Sequence, residues 1–366
     1  MKKILFIILA AMAAAAPAGA QMKWFDPVSE GPVMHGVGWD ELKSGYFRLP
    51  ERAKGVVREQ VWDLSRHDAG LSLVFTSDAE EIIVLYTVDG GYSSYHMPST
   101  GKTGIDLYAT GRDGCLRWVA PDFSASFRDT IRYIYSGITR TPETGPVYEF
   151  HLYLPTYNHV EWMKIGIPES ASITFLPETR QHPVVIYGTS ITQGACCSRP
   201  GNCWTGIVER ELELPVVNLG FSGNGKLDPE VLELMTEIDA SAYIIDCTAN
   251  LTHATNITPR LIRAIEILRS KRSCPILIAE HAGNTGEYAS EPKRQPYKAN
   301  AQVRSAYDSL LVRGFSDLYY VSKEELALPM DGMVEGVHPN DLGMRFLADA
   351  FERKLVEMGV AGKPNN

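Results

Sequence analysis

The stretch Val184-Val-Ile-Tyr-Gly-Thr-Ser-Ile-Thr-Gln-Gly194 decides how the second half of the chain folds. Its first four residues form an unbroken apolar run, which is typical of a parallel strand covered on both faces. A glycine, a threonine and Ser190 follow at once. Ligands bind at the carboxyl ends of the strands in open parallel sheets, so we expect Ser190 to face a functional cleft.

Four further apolar runs follow this first strand, and helical patterns separate them. The five predicted strands are Val184–Tyr187, Val216–Val217, Ala242–Ile245, Ile276–Ala279 and Leu318–Val321. Asp228-Pro229 reads as an N-cap followed by a proline at the first helical position, and the last helix should start near Asn340. This alternation predicts an α/β fold with a doubly wound, parallel five-stranded sheet.

The first half of the chain has a different rhythm. Residues 148–154 alternate between apolar and polar side chains, and several other short runs rich in β-branched and aromatic residues are separated by turn residues. We find no helical pattern there. The sequence therefore predicts an antiparallel, jelly-roll-like β-sandwich over residues 21–178, followed by the α/β domain over residues 179–362.

The first 20 residues have the composition of a targeting segment. Lys2 and Lys3 precede the apolar run Ile4–Ala16, and Ala18-Gly-Ala20 is a small-x-small cleavage site. These features predict a cleavable secretory signal peptide over residues 1–20 and a periplasmic or secreted protein. Gln21, rather than a cysteine, follows the cut, so a lipoprotein anchor is not indicated.

Charge and cysteine content restrict the classes of ligand. The net charge is −9, which disfavours nucleic acid or an anionic membrane surface as a partner. The sequence has no Cys-x2-Cys or His-x3-His pair, no phosphate-binding loop and no dinucleotide fingerprint, so we expect neither a metal nor another cofactor. Among the six cysteines, Cys203 is close enough in sequence to Cys196 or Cys197 for one disulfide, which an exported protein could form.

A histidine motif lies nearly 150 residues after the serine. In Glu335-Gly-Val-His338, a carboxylate precedes a histidine by three residues. Ser190 would be the nucleophile, His338 would take its proton, and Glu335 would orient the imidazole. Asp331 and a backbone carbonyl are alternatives for the orienting group, and Ser222 is an alternative nucleophile.

Acyl transfer also needs donors that face the developing oxyanion. Gly223 follows the second predicted strand, in a glycine-rich loop that can present a backbone N–H. Asn250 follows the third strand and can donate its side-chain amide. With the backbone N–H of Ser190, they would form a three-donor oxyanion hole. The structural alternatives are a helix N-cap for Ser190, a turn glycine for Gly223 and an Asx-turn for Asn250.

Four blocks of the sequence resemble, in order and spacing, those of the SGNH (GDSL-type) hydrolases. They are Gly188-Thr-Ser-Ile-Thr192, Asn218-Leu-Gly-Phe-Ser-Gly223, Asp246-Cys-Thr-Ala-Asn250 and Glu335-Gly-Val-His-Pro-Asn340. Gly104-Ile-Asp-Leu-Tyr108 also resembles the Gly-x-Asp-Leu-Tyr signature of a β-sandwich domain that precedes some of these esterases. Thr189 and Glu335 each stand where the family has aspartate, and the second departure leaves the orienting acid open.

The resemblance implies a serine carboxylic-ester hydrolase that needs no cofactor and works through a Ser190 acyl-enzyme. Family members with an added sandwich domain often deacetylate polysaccharides, so the expected substrate is a small acyl ester or an O-acetylated glycan, and the expected activity is that of an acetylesterase. The alternatives are a short-chain acyl or lysophospholipid esterase and a non-catalytic carbohydrate-binding protein.

Overall fold

The computed structural model describes residues 21–111, 114–122, 126–139, 148–283 and 295–362. The predicted signal peptide, residues 1–20, lies outside the described residues. None of the helices in the described part of the chain has both the length and the apolar character needed to cross a membrane.

Two antiparallel sheets form the first half of the molecule. One has the strand order β1-β9-β4-β7 and the other β10-β3-β8-β5-β6, with β2 paired to β3. The strands are β1 Met22–Phe25, β2 Met34–His35, β3 Ser72–Ser77, β4 Ile82–Val88, β5 Asp106–Thr110, β6 Leu116–Val119, β7 Ile131–Tyr135, β8 Tyr148–Tyr153, β9 Val160–Pro168 and β10 Ile173–Leu176. Alternate residues of these strands share one apolar core, in which the rings of Phe75 and Phe150 stack with centroids 5.4 Å apart. The predicted β-sandwich is confirmed.

Two short helices interrupt this sandwich, α1 Glu59–Leu64 and α2 Ser99–Lys102. The expectation of a helix-free first half was therefore wrong. Helices of six and four residues carry too few apolar positions to show a 3.6-residue period.

The segment around α1 packs away from the sandwich. Its buried apolar residues join the core of the α/β half of the molecule; they are Trp39, Leu42, Leu49, Ala53, Val57 and Val61. The predicted domain division at residues 178 and 179 stays a prediction, but the two halves share this packing.

The second half contains a parallel sheet with the strand order β12-β11-β13-β14-β15. The strands are β11 Val184–Gly188, β12 Val216–Gly220, β13 Ala242–Asp246, β14 Ile276–Ala279 and β15 Leu318–Val321. The helices are α3 Ser190–Gln193, α4 Trp204–Leu212, α5 Pro229–Met235, α6 Ile257–Arg269, α7 Gln295–Val312, α8 Lys323–Leu326 and α9 Asp341–Glu357. All four strand pairings are parallel, so the predicted doubly wound sheet is confirmed.

Apolar side chains cover both faces of this sheet. Val185 and Tyr187 pack with residues of α5, α6 and α7, whereas Val184 and Ile186 pack with residues of α4 and α9. This two-sided burial explains why the first strand reads as an unbroken apolar run rather than an alternating one.

The register of the sheet brings three chain segments to one edge. Gly188 at the end of β11 is paired with Gly220 of β12 on one side and with Asp246 of β13 on the other. Ser190, Gly223 and Asn250 each follow one of these three strands within four residues. The central strand therefore presents Ser190 between the segments that hold the other two residues.

Candidate active site

The turn that carries Ser190 is fixed by the two threonines around it. Thr189 is the N-cap of α3: its hydroxyl accepts a hydrogen bond from the Ile191 backbone N–H at 3.3 Å, and its own N–H donates to the Thr192 hydroxyl at 3.2 Å. Capping is therefore supplied by Thr189 and not by Ser190. The Ser190 hydroxyl is left free of a structural role at the helix start.

The same turn is tied to the neighbouring strand. The Thr192 hydroxyl donates to Asp246 Oδ2 at 2.6 Å, and a side chain at Gly188 would collide with that hydroxyl at 1.9 Å. Burial raises the pKa of Asp246 to about 7, although the Thr192 hydrogen bond opposes the shift. Gly188 is thus required by the close approach of Thr192, which holds the helix start on the sheet.

Ser190, His338 and Glu335 form one chain of contacts. Ser190 Oγ lies 2.9 Å from His338 Nε2. On the other side of the ring, Glu335 Oε1 contacts His338 Nδ1 and also accepts the His338 backbone N–H at 3.1 Å. A carboxylate at Nδ1 holds the proton on that nitrogen, which leaves the Nε2 lone pair directed at the Ser190 hydroxyl.

The histidine loop explains how a glutamate reaches this position. Val334 N–H donates to the His338 carbonyl at 2.9 Å, which closes the loop and turns Glu335 back towards the ring. Asp331, the alternative acid, is exposed, and its described contact is a backbone carbonyl that accepts from the Asn340 side chain. The structure therefore brings Glu335 to Nδ1, and neither Asp331 nor a backbone carbonyl takes that place.

Gly223 and Asn250 lie in linked loops beside the serine. Gly223 has φ +67°, and a side chain built there would meet no described atom within 4 Å, so this part of the loop faces open space. Asn250 Oδ1 accepts the Gly225 backbone N–H at 3.0 Å. That bond fixes the amide orientation and leaves the Nδ2 protons available for another acceptor.

Gln193, which the sequence analysis did not single out, joins three segments behind the serine. Its Oε1 accepts the Ser222 backbone N–H at 2.9 Å, and its Nε2 lies 3.1 Å from His67 Nδ1 and 3.0 Å from the Thr156 carbonyl. Ser222 is thus held through its backbone, and His338 contacts Ser190 instead. This geometry favours Ser190 over Ser222 as the nucleophile.

Arg48 is a second residue that the sequence analysis missed. It is 2% exposed and donates to the carbonyls of Asn218 and Gly220 at 3.1 and 2.8 Å, while its guanidinium lies 5.1 Å from the centre of the Phe221 ring. Burial lowers the pKa of Arg48 to about 10, so it remains charged at neutral pH. A cation from the first half of the chain therefore supports the strand end that leads to Gly223.

A loop of the sandwich also reaches His338. The ring centroids of His96 and His338 are 5.4 Å apart, and those of Tyr95 and His96 are 4.1 Å apart. Tyr95 is 90% exposed. Desolvation and the neighbouring His338 lower the pKa of His96, against the opposing effect of Glu335. No local pattern marked Tyr95 or His96, because their position depends on how the two halves pack.

The predicted disulfide is wrong, because Cys196, Cys197 and Cys203 are all free thiols. The Cys197 thiol donates to the Gly194 carbonyl at 3.0 Å, and the Cys203 thiol donates to the Thr192 carbonyl at 3.5 Å. These two side chains therefore face backbone acceptors near the turn that carries Ser190. Nearness in sequence was a poor guide to pairing, which also needs the two Cβ atoms to face each other.

Family models match both halves of the chain. Residues 181–356 match the GDSL-like lipase/acylhydrolase family, and residues 22–173 match the N-terminus of SGNH-hydrolase-type esterases, which is named for the Gly-x-Asp-Leu-Tyr signature. No curated protein sequence matches the chain.

Solved structures share the whole two-part architecture. A GDSL-like lipase from Bacteroides ovatus ATCC 8483 is 25% identical, with a TM-score of 0.84 over 94% of this chain and 100% of its own. A salicylyl-acyltransferase of a tetracycline biosynthetic pathway is 18% identical, with a TM-score of 0.70 over 93% and 98%. A family two carbohydrate esterase from Cellvibrio japonicus is 12% identical, with a TM-score of 0.54 over 93% and 98%. The last two likenesses concern the fold alone.

The two family matches follow one another along the chain. Each covers the signature blocks found in that half of the sequence. Together with the fold shared with the Bacteroides ovatus lipase, they assign the class of the protein. The chain belongs to the GDSL-like lipase/acylhydrolase (SGNH) family and is a serine esterase with an N-terminal domain of the Gly-x-Asp-Leu-Tyr type.

Proposed function

We propose that this esterase removes O-acetyl groups from carbohydrate outside the cytoplasm, with Ser190 as the nucleophile. The contact chain from Ser190 through His338 to Glu335 carries the proposal. It joins a nucleophile, a base and an orienting carboxylate in the order that acyl transfer requires.

In the proposed reaction, Ser190 Oγ attacks the acetyl carbonyl while His338 Nε2 takes the hydroxyl proton. A bond forms between Oγ and the carbonyl carbon, and the π electrons move to the carbonyl oxygen. The resulting oxyanion accepts hydrogen bonds from the backbone N–H groups of Ser190 and Gly223 and from the Asn250 amide. The carbonyl then re-forms, the bond from the acetyl carbon to the sugar oxygen breaks, and His338 gives its proton to that oxygen, which leaves as an alcohol. Water, deprotonated by His338, attacks the acetyl-serine. The bond to Ser190 Oγ breaks, His338 returns the proton to Oγ, and acetate is released.

The proposed carbohydrate substrate is supported by the exposed aromatic residue beside the base. The Tyr95 ring lies against the His96 ring at a tilt of 39°, and the His96 ring lies against that of His338. Tyr95 is 90% exposed. An exposed aromatic ring in such a place offers an apolar face to the C–H groups of a sugar ring. The Cellvibrio japonicus protein is described as a carbohydrate esterase, which motivates the same substrate class here.

The proposed location is supported by the leader sequence. Lys2 and Lys3, the apolar run Ile4–Ala16 and the small residues Ala18-Gly-Ala20 form the three parts of a cleavable signal peptide. N-terminal sequencing of the exported protein should find Gln21 first. A mature protein that still begins at Met1 would contradict export by this route.

Hydrolysis of p-nitrophenyl acetate tests the nucleophile. Ser190→Ala should lose on the order of 10⁴-fold or more in kcat, whereas Ser222→Ala should keep the activity of the parent enzyme. Equal turnover by Ser190→Ala and the parent would remove Ser190 from the mechanism. Equal loss in both variants would show a general effect on this edge of the sheet.

A substrate series separates the acetylesterase from the lipase alternative. The parent enzyme should release acetate from acetylated xylan, pectin or mannan and should lose activity as the acyl chain of a p-nitrophenyl ester is lengthened. A preference for long acyl chains, without release of acetate from any of the glycans, would contradict the proposed substrate.

A further inference from the structure

Three side chains that bind soft and borderline metal ions converge beside the candidate base. A ring nitrogen of His96, a ring nitrogen of His338 and the sulfur of Cys196 all lie within 4.8 Å of one another. They belong to three separate segments: the loop between β4 and α2, the loop before α9, and the turn after α3. Two imidazoles and one thiolate are a ligand set suited to tetrahedral zinc.

Two of the three side chains, those of His96 and Cys196, are available as metal ligands. Nδ1 of His96 is buried and has no hydrogen-bond partner among the described residues. Cys196 is a buried free thiol, and its backbone has φ +68°, a conformation that cysteine rarely adopts. A buried polar nitrogen without a partner is costly, and a bound cation would remove that cost.

Glu335 orients the third side chain, His338, for metal binding. It contacts His338 Nδ1, so Nε2 is the nitrogen that remains for a metal. Metal-bound histidines commonly have their other ring nitrogen bonded to a carboxylate, which fixes the ring and raises its basicity. In the metal-free enzyme this Nε2 lies 2.9 Å from Ser190 Oγ.

We propose that His96, Cys196 and His338 bind one zinc ion that reversibly inhibits the esterase. Binding forms two nitrogen–zinc bonds and one sulfur–zinc bond, releases the Cys196 thiol proton to solvent and leaves a fourth position for water. The ion takes the Nε2 lone pair that would otherwise accept the Ser190 proton. Binding itself does not depend on the proposed nucleophile, whereas the inhibition rests on the proposed role of His338.

Cobalt(II) serves as the spectroscopic probe of the full-length mature enzyme after treatment with a chelator. One equivalent should bind and give a near-ultraviolet thiolate-to-cobalt charge-transfer band, and zinc should displace the cobalt and abolish the band. Zinc should also abolish p-nitrophenyl acetate hydrolysis, and a chelator should restore it. A parent enzyme that shows no thiolate band would overturn the site.

Variants assign the ligands. Cys196→Ala should lose the band, keep its metal-free activity and need at least about a hundredfold more zinc for half inhibition, and Cys196→Ser provides a second variant should alanine disturb folding. His96→Ala should bind cobalt at least about tenfold more weakly. Cys197→Ala and Cys115→Ala, which remove a neighbouring buried thiol and an exposed one, should keep both the band and the inhibition.

Two outcomes separate this site from the proposed catalytic mechanism. Ser190→Ala should retain the cobalt band although it has no activity to inhibit, and loss of the band there would overturn the three-ligand assignment. Inhibition by zinc that is equally strong in Cys196→Ala and the parent would also overturn it. Failure of Ser190→Ala to lose activity would instead contradict the proposed nucleophile and leave the spectroscopic result unaffected.

Discussion

Asp106 of the sandwich and Arg199 of the α/β half form an ion pair with 2.5 Å between Oδ2 and Nη1. Asp106 is the aspartate of the Gly-x-Asp-Leu-Tyr signature and is 2% exposed. It also accepts the Gly201 backbone N–H at 3.1 Å and Trp118 Nε1–H at 2.6 Å. Arg199 and Gly201 lie in the segment between α3 and α4, so the signature connects the sandwich to that segment.

Loss of this ion pair should weaken the contact between the two halves and so lower the stability of the protein. Burial raises the pKa of Asp106, against the attraction of Arg199, so the pair sits where an unpaired charge is costly. We expect Asp106→Asn to lower the free energy of unfolding by about 2 kcal/mol, measured by denaturant titration. In a double-mutant cycle with Arg199→Gln, the two changes should be strongly non-additive. Additive losses would show that the two side chains stabilise the fold independently.

Glu178, at the predicted domain division, should make the stability of the folded protein depend on pH. It contacts His35 at 3.0 Å and Arg180 at 2.6 Å. Burial alone would raise the pKa of Glu178, but the hydrogen bonds from His35 and Arg180 lower it well below its usual range. A carboxylate with a lowered pKa in the folded state stabilises the fold above its unfolded pKa, and this contribution is lost as the pH falls.

We therefore expect Glu178→Gln to destabilise the protein at pH 7 by about 2 kcal/mol. The difference from the parent should start to shrink below about pH 4, the usual range of a glutamate in an unfolded chain. Thermal unfolding at several pH values checks this, with the exposed Glu161→Gln as the control. A difference that stays constant down to pH 2 would show that the charge of Glu178 is not responsible.

Local sequence patterns predicted the parallel sheet and its order along the chain. Apolar runs such as Val184–Tyr187, separated by helical patterns, were sufficient to predict the sheet. The residues after each strand were sufficient to predict which side chains come together, because strand ends in a parallel sheet meet at one edge. The same logic singled out Ser190, Gly223 and Asn250, whose positions in the structure agree with that edge. Their catalytic roles stay predictions until the variants are measured.

Contacts between the two halves could not be predicted in this way. Arg48, Tyr95 and His96 approach the site from loops more than 90 residues upstream of Ser190, and nothing in their local sequence marks them. Arg48 is informative only once its partners, the carbonyls of Asn218 and Gly220, are known. The free thiols likewise reflect side-chain directions that sequence spacing does not determine.

Glu335→Gln tests the orienting acid. The amide can no longer stabilise the imidazolium that forms when His338 takes the serine proton, and its NH2 group can favour the wrong tautomer. We expect kcat for p-nitrophenyl acetate to fall by about 10³-fold or more, with KM little changed. Asp331→Asn is the matched control, because Asp331 is exposed and Glu335 is the acid that contacts His338 Nδ1; it should behave like the parent. A large loss in Asp331→Asn would return the role to that residue.

Tyr95→Ala tests the sugar-binding surface. Loss of an exposed stacking ring should raise KM for acetylated xylan by about tenfold, which corresponds to about 1.4 kcal/mol of binding, and leave hydrolysis of p-nitrophenyl acetate unchanged. Trp162→Ala removes another partly exposed aromatic residue of the sandwich and should change neither substrate. Equal losses on both substrates in Tyr95→Ala would indicate a disturbed active site rather than a lost sugar contact.

Asn250→Asp separates the two functions of the Asn250 side chain. The aspartate keeps an oxygen for the Gly225 backbone N–H, which Asn250 Oδ1 accepts at 3.0 Å, so the loop should hold its shape and thermal stability should change little. It loses the amide donor and places a negative charge beside the developing oxyanion, which is destabilised in the transition state. We expect kcat to fall by at least about 10²-fold while KM stays close to that of the parent.

Asn250→Ala should lose a similar share of kcat and also part of the stability, because the Gly225 N–H then lacks its acceptor. An Asn250→Asp enzyme that is unstable but turns over normally would show that Asn250 serves the loop alone.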